Sequence, residues 1–189
     1  MTENGELRTE LRDGSILIRQ HRLDDVDPHY EAVDKSRAGI APFLFWCTPD
    51  FSRLSSEEWI GMQESLWSAG EEYNFVIEDT ESGRFLGSVA VNRIDRVNRT
   101  AGLGYWVRTN MSRKGVATAA ARLAARFAFE DLGMRRIELF IRYDNIASRR
   151  VAEKLGAMRE GTLRNRMFLH GRSWDAVMYS ILPGELTAG

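Results

Sequence analysis

Three apolar stretches rich in β-branched and aromatic residues stand in the middle of the chain: YNFVIED (73–79), FLGSVAVNRID (85–95) and TAGLGYWVR (100–108). Only the turn residues of DTESGR and RVNR separate them. Links that short close hairpins, because parallel neighbours need a crossover of about a dozen residues or more. An antiparallel meander is therefore forced here. The next segment, GVATAAARLAARFAF, changes the period: Val116, Ala120, Leu123 and Phe127 recur at three- and four-residue spacing, and alanine is the best helix former. This helix ends at Gly133 and leads into another strand, RRIELFIRY (135–143). A strand reached through a helix can lie parallel to its predecessor, so the sheet must be mixed.

The remaining elements extend that frame. SILIRQ (15–20) reads as a first strand entered by a turn at Asp13-Gly14. LDDVDPHYEAVDKSRAGIAPFL gives a broken helix, with Pro28 near its start and Gly39 and Pro42 near its stop. SSEEWIGMQESLWSAG predicts a second helix. Ser55 and Glu58 would form its capping box, Trp59, Met62 and Leu66 one face, and Gly70 its end. IASRRVAEKLG (146–156) predicts a short helix, and strands around 157–168 and 173–182 follow, joined by a tight turn at His170-Gly171. The expectation is a single α+β domain over residues 1–189: a mixed, mostly antiparallel sheet of about seven strands, flanked by about four helices.

Composition limits the function classes. A net charge of −1 gives no global attraction to nucleic acid or to an anionic membrane. Cys47 is the one cysteine, so no intrachain disulfide forms and a reducing cytoplasm is expected. The polar, acidic start MTENGELRTELRDG is unlike a signal or transit peptide. His21, His29 and His170 have no partners at metal-ligand spacing, so no metal is expected.

Arg113 and Lys114 directly precede the alanine-rich helix. A helix N-terminus carries about half a positive charge and unpaired N–H groups, so two cations there are misplaced unless an anion joins them. Backbone N–H groups of residues 113–118, with Gly115 and Ala117 leaving room for close approach, would form a phosphate cradle. The alternative is a helix starting after a solvated basic loop. Neither GxxxxGK[ST] nor GxGxxG occurs, so nucleotide P-loops and dinucleotide folds are unsupported.

GLGYWVR before this loop and YDNIASRRVAEKLGAMREGTLR after it resemble the GNAT superfamily of acyl-CoA-dependent N-acyltransferases, particularly the RimJ/RimL type that acetylates ribosomal-protein N-termini. LRDGSILIRQHRLDD, SRAGIAPFLFW, FVIEDTESGRFLGSVAVNRID and GRSWDAVMYSIL extend the similarity over almost the whole chain. The resemblance implies that Arg113, Lys114, Gly115, Val116, Ala117 and Thr118 hold the pyrophosphate of acetyl-CoA or another acyl-CoA. The first position of the family's loop pattern, Gln or Arg, is Ser112 here, and Arg113 replaces a common glycine. The family's strand before the loop splays from its neighbour, and a backbone N–H near Trp106 or Val107 would polarise the thioester carbonyl. One of Tyr105 and Trp106 should be core, since strand neighbours face opposite sides.

Asn145 and Ser148 match the family's NxxS motif, which implies that Asn145 contacts the acyl-CoA and that Ser148 lies near the departing thiolate; Asn145 also reads as a helix N-cap. Where one branch of the family has a tyrosine, this chain has Ala152. Glu138 is the candidate general base, with a salt bridge to Arg135 or Arg142 as its alternative role. Acceptor contacts are expected from the first two helices and the last hairpin, including Trp46, and from Tyr105 on the strand before the loop. The apolar run APFLFWCTPDF would wall a cleft or make a dimer contact. Two readings follow: an enzyme acylating a primary amine such as a protein N-terminus or a small amine, with acetyl or a longer group such as succinyl, or a non-catalytic acyl-CoA-binding sensor.

Overall fold

The computed structural model describes residues 7–187. Its frame is an eight-stranded sheet in the order β1-β2-β3-β4-β5-β6-β8-β7. The meander is β3 (Tyr73–Asp79), β4 (Phe85–Asp95) and β5 (Thr100–Val107), all antiparallel. The helix α4 (Val116–Glu130) carries the chain to β6 (Arg136–Arg142), which pairs in parallel with β5. β7 (Met158–Leu169) and β8 (Arg172–Ile181) close the far edge, after the short α5 (Ile146–Lys154).

The count exceeds the expected seven because the Asp13-Gly14 turn joins two strands, β1 (Glu10–Asp13) and β2 (Ile16–Gln20). β1 has four residues and buries only Leu11, too little alternation to register as a strand in the sequence. The second predicted helix is broken at Met62 into α2 (Arg53–Gly61) and α3 (Gln63–Ala69). Its cap also differs from the expected Ser55–Glu58 box. Ser52 is the N-cap: its Oγ accepts from Ser55 N–H at 3.3 Å, while Ser55 Oγ accepts from Ser52 N–H at 3.2 Å. Met62, at the break, is 52% exposed rather than part of an apolar face.

Two apolar layers cover the sheet. On one side Ala120, Ala121, Ala124, Ala125 and Ala128 let α4 lie close to the strands, with Leu123 and Phe127 buried against Phe75, Ile77 and Leu139. On the other side α1 (Val26–Ile40) and the chain after it pack Ala32, Val33, Ile40 and Cys47 on Val76, Phe85 and Trp106. Each large apolar side chain so buried contributes about 1.5–3 kcal/mol. β5 and β4 approach closely at Gly87, whose φ is +155° and whose missing Cβ would overlap the Trp106 carbonyl oxygen. Beyond β5 the buried Arg108 pins the chain to both layers, pairing with Glu31 of α1 and donating from Nε to the Phe85 carbonyl at 2.5 Å.

Candidate active site

β5 and β6 are paired only at Thr100–Gly102 with Arg136–Glu138. Beyond that point β5 continues on β4 and β6 on β8, so the parallel pair opens into a gap. The sheet's bonding pattern says what faces it. Arg108 N–H donates to Leu86 O on the β4 side at 2.8 Å. Alternation then turns the N–H and C=O of Trp106 and Gly104 to β4, and those of Val107 and Tyr105 to the gap. Of the two donors the resemblance allowed, the Val107 N–H is the one aimed into the opening. The Trp106 N–H belongs to the sheet.

Because the strands are parallel, the helices that follow them start at the same end of the gap. α4 begins after Gly115, which takes φ +84° at the N-cap, with Arg113 also left-handed at φ +63°. The first intrahelical bond is Ala119 N–H to Gly115 O at 3.0 Å, so the N–H groups of Val116, Ala117 and Thr118 have no acceptor within the helix. Val116 buries its side chain in the core and offers only backbone. Arg113 and Lys114 are exposed, and neither makes a salt bridge among the described residues; Lys114 Nζ touches only Met111 Sδ at 3.9 Å. Among the described residues these three N–H groups and two cations are uncommitted, which is the donor set an anion at a helix N-terminus requires.

α5 starts at the end of β6. Asn145 is its N-cap, accepting from Ser148 N–H at 3.1 Å. Ser148 is half-buried in the first turn, and its Oγ makes no hydrogen bond among the described residues. The Ser148 carbonyl accepts from the Tyr105 hydroxyl at 3.1 Å, a bond that ties β5 to α5 across the gap. Burial pushes the Tyr105 phenol well above its ordinary value, so it stays protonated. Tyr105 and Trp106 do face opposite sides, with Trp106 buried in the α1 layer.

The predicted acceptor residues are thereby separated. Trp46 lies on the α1 side, 6.0 Å from Trp106 and 5.4 Å from Phe51, ring to ring. Tyr105 packs on the α4 side with Ser148, away from Trp46. The run APFLFWCTPDF divides three ways: Trp46, Cys47 and Phe51 pack on α1, Phe43 turns to β6, and Phe45 is 71% exposed. The Arg142 guanidinium lies 4.4 Å from the Phe43 ring and 4.2 Å from Trp174, and donates to Pro42 O at 2.6 Å. His170, at the β7–β8 turn, reaches Ala41 O at 2.8 Å. The last hairpin and the loop after α1 thus meet over the α1 side of the gap.

Glu138 sits at the closed end, paired with Gly102. Its partner is Arg136, Nε to Oε1 at 2.8 Å, neither Arg135 nor Arg142. Arg136 also grips Glu160 through both Nη atoms at 2.8 and 2.6 Å, and that guanidinium holds the Glu160 carboxyl down at about 2. This network clamps β6 to β7. Two histidines that looked isolated in the sequence are neighbours: His21 and His29 flank Trp59 at 4.9 and 5.1 Å. Their pairing depends on α1 folding back over β2, which no local pattern reveals.

A splayed parallel pair, with backbone donors aimed into the opening and two helix N-termini at its mouth, defines an acyl-CoA-dependent acyltransferase fold. The acetyltransferase (GNAT) domain family matches residues 15–158. The probable N-acetyltransferase YjcK of Bacillus subtilis is 35% identical over 174 residues, covering 91% of this chain and 96% of that protein. YdaF of the same species is 36% identical over 103 residues, where the chain spans just over half of that relative's length, 56%. The structure of Mycobacterium smegmatis RimJ in complex with CoA-disulfide superposes with a TM-score of 0.82 at 23% identity, over 92% of this chain and 85% of that one. The chain belongs to the GNAT acetyltransferase family and is an acetyltransferase of that family, with RimJ/RimL-type ribosomal-protein acetyltransferases among its relatives and structural neighbours.

Proposed function

We infer that the protein moves an acyl group, acetyl by preference, from acyl-CoA to a primary amine by direct attack in a ternary complex, the amine being a protein N-terminus or a small molecule. The observation that carries this is the gap between β5 and β6, with the Val107 N–H turned into it. Bound acetyl-CoA supplies the activated carbonyl. Residues 113–118 hold its pyrophosphate on backbone N–H groups, helped by Arg113 and Lys114, and Asn145 keeps the α5 N-terminus in place beside the gap. Val107 donates its N–H to the carbonyl oxygen, where negative charge grows during attack. Ser148 keeps a free hydroxyl at the α5 end and donates it to the departing thiolate. Tyr105 positions Ser148 through the bond to its carbonyl. Trp46, with Trp106 behind it, lines the side from which the amine approaches. Glu138 holds the closed end through Arg136, and the proton released by the amine passes to water in the open cleft.

The test is a thermal-shift titration with CoA, acetyl-CoA, succinyl-CoA and NAD. A ligand at 100 times its dissociation constant adds about 2.7 kcal/mol, a shift of several degrees for a chain this long. Stabilisation by CoA compounds and none by NAD is the expected result, and the most effective thioester names the donor. No shift with any CoA species at millimolar concentration removes the cradle.

A further inference from the structure

On the α1 side of the gap, two arginines are brought to one aromatic ring by distortions in two different strands. Arg93 lies where β4 loses register with β5, between Asn92 and Asp95, and has φ +47°. Arg166 lies where β7 loses register with β8, between Leu163 and Met167, next to Asn165 at φ +51°. The Asp175 carboxylate holds that second bulge by accepting Asn165 N–H at 2.9 Å. Bulges re-aim side chains, and these two aim theirs at the same place. The Arg93 and Arg166 guanidinium carbons stand 4.8 and 4.4 Å from the centroid of Phe140 on β6.

Neither arginine has a salt bridge or a hydrogen bond among the described residues. The carboxylates whose charge reaches Arg93 make their hydrogen bonds elsewhere, Glu138 with Arg136 at 2.8 Å and Glu72 with the Asn74 amide at 3.2 Å. Surrounding protein and the like charge of Arg166 push the Arg93 guanidinium below its ordinary value, against the opposing pull of the Glu138 and Glu72 carboxylates. The Arg93 guanidinium rests against Gly102, the last β5 residue paired with β6, where a Cβ would collide with it. Beside it the Asn92 side-chain oxygen Oδ1 is buried without a partner among the described residues. Two strained strands and two cations on one ring, neither held by a salt bridge among the described residues, therefore converge at the closed end of the gap, on the face opposite α4.

We propose that Arg93 and Arg166, stacked on Phe140, form a clamp for a carboxylate, so that this acyltransferase takes a substrate bearing an acid a few atoms from the reacting centre. The proposal rests on the acyltransferase reading above. The carboxylate has two possible carriers: the acceptor, as an acidic side chain or free acid near the amine, or the donor, as the far end of a dicarboxylic acyl group. A planar carboxylate bridging two guanidiniums makes charge-assisted hydrogen bonds to both and relieves their mutual repulsion.

The clamp is tested first without turnover. Glutarate and its uncharged diamide are titrated by calorimetry into the CoA-loaded protein and into R93M/R166M, which keeps the apolar stems over Phe140. Expected is glutarate binding at least tenfold weaker in the variant, no measurable binding of the diamide to either protein, and equal CoA affinity in both. Glutarate that fails to bind, or binds both proteins alike, overturns the clamp even where CoA binds normally; loss of CoA binding to the unmodified protein overturns the acyltransferase reading instead. Turnover then identifies the carrier. With acetyl-CoA, peptides beginning Ser-Glu-Asp acetylated about tenfold faster than Ser-Gln-Asn, with the ratio collapsing in the variant, place the carboxylate on the acceptor. Succinyl-CoA preferred over acetyl-CoA, again only in the unmodified protein, places it on the donor. Equal rates throughout overturn the proposal.

Discussion

Lowering the pH should destabilise this protein through two histidines before its carboxylates matter. His21 and His29 sit between α1, α2 and the sheet among Trp46, Phe51, Trp59, Phe85 and Trp106. Burial drives their pKa values from 6.5 to about 3 for His21, where His29 adds repulsion, and to about 4 for His29. A histidine depressed in the folded state leaves stability intact above its unfolded pKa; below it the unfolded chain takes the proton first and stability falls. Between pH 7 and pH 5 each residue therefore costs about 2 kcal/mol, roughly 4 kcal/mol together, against a typical total of about 5–15. Carboxylates with depressed values, such as Asp25 and Glu160, withdraw their share only nearer pH 4.5 and below. The assay is urea unfolding at pH 7 and pH 5 for the unmodified protein and His21→Leu. Neither ring nitrogen of His21 has a partner, so the substitution should hold or raise stability at pH 7 and should halve the loss at pH 5. An unchanged loss between the two pH values would refute the assignment.

Other expectations follow from the gap and its supports. Ser148→Ala should lower kcat about ten- to a hundredfold while the dissociation constant for CoA changes less than twofold; steady-state kinetics with calorimetry separates the two. Gly87→Ala puts a Cβ into the Trp106 carbonyl oxygen and should cost more than 2 kcal/mol, whereas Gly115→Ala meets no neighbour and costs only its left-handed backbone, about 1 kcal/mol or 2–4 °C in melting temperature. In hydrogen exchange the amides of Tyr105 and Val107 should exchange much faster than those of Gly104 and Trp106, and acetyl-CoA should protect Val107; equal protection of all four would contradict the bonding pattern.

Much of this architecture is legible because it follows from connection lengths. Five- and four-residue links make the meander, and one alanine-rich helix of the right length makes the parallel step, so the mixed sheet follows before any packing is known. The proposed anion site was suggested for a related reason: two cations at the wrong end of a helix are an electrostatic anomaly that sequence alone displays. β1 was not legible, since four residues carrying a single buried side chain lack a period. The split at Met62 was hidden because α2 and α3 share one continuous helical pattern and part only where their packing diverges. Arg93, Arg166 and Phe140 are separated by dozens of residues and meet only because two bulges rotate two strands. A bulge is a property of the pairing between strands, and neither strand records it alone.

The gap itself is costly, and its supports show how the cost is offset. Every backbone group of β5 and β6 that could pair across it is left for solvent or ligand, at about 1–3 kcal/mol for each one buried unsatisfied. A sheet left to itself would close. Here β6 is held from its other edge by six paired residues of β8, and β5 by β4, so each strand has one satisfied side and neither gains enough by moving. Tyr105 reaches across to the α5 N-terminus, and Arg142 ties β6 to the loop after α1. At the closed end the Glu138–Arg136–Glu160 network fixes where pairing stops. That network predicts a positioning role rather than a chemical one for Glu138. Its replacement by glutamine, which still accepts from Arg136, should leave turnover largely intact, whereas replacement by alanine should weaken CoA binding and turnover together. A glutamine variant as inactive as the alanine one would return Glu138 to the role of base.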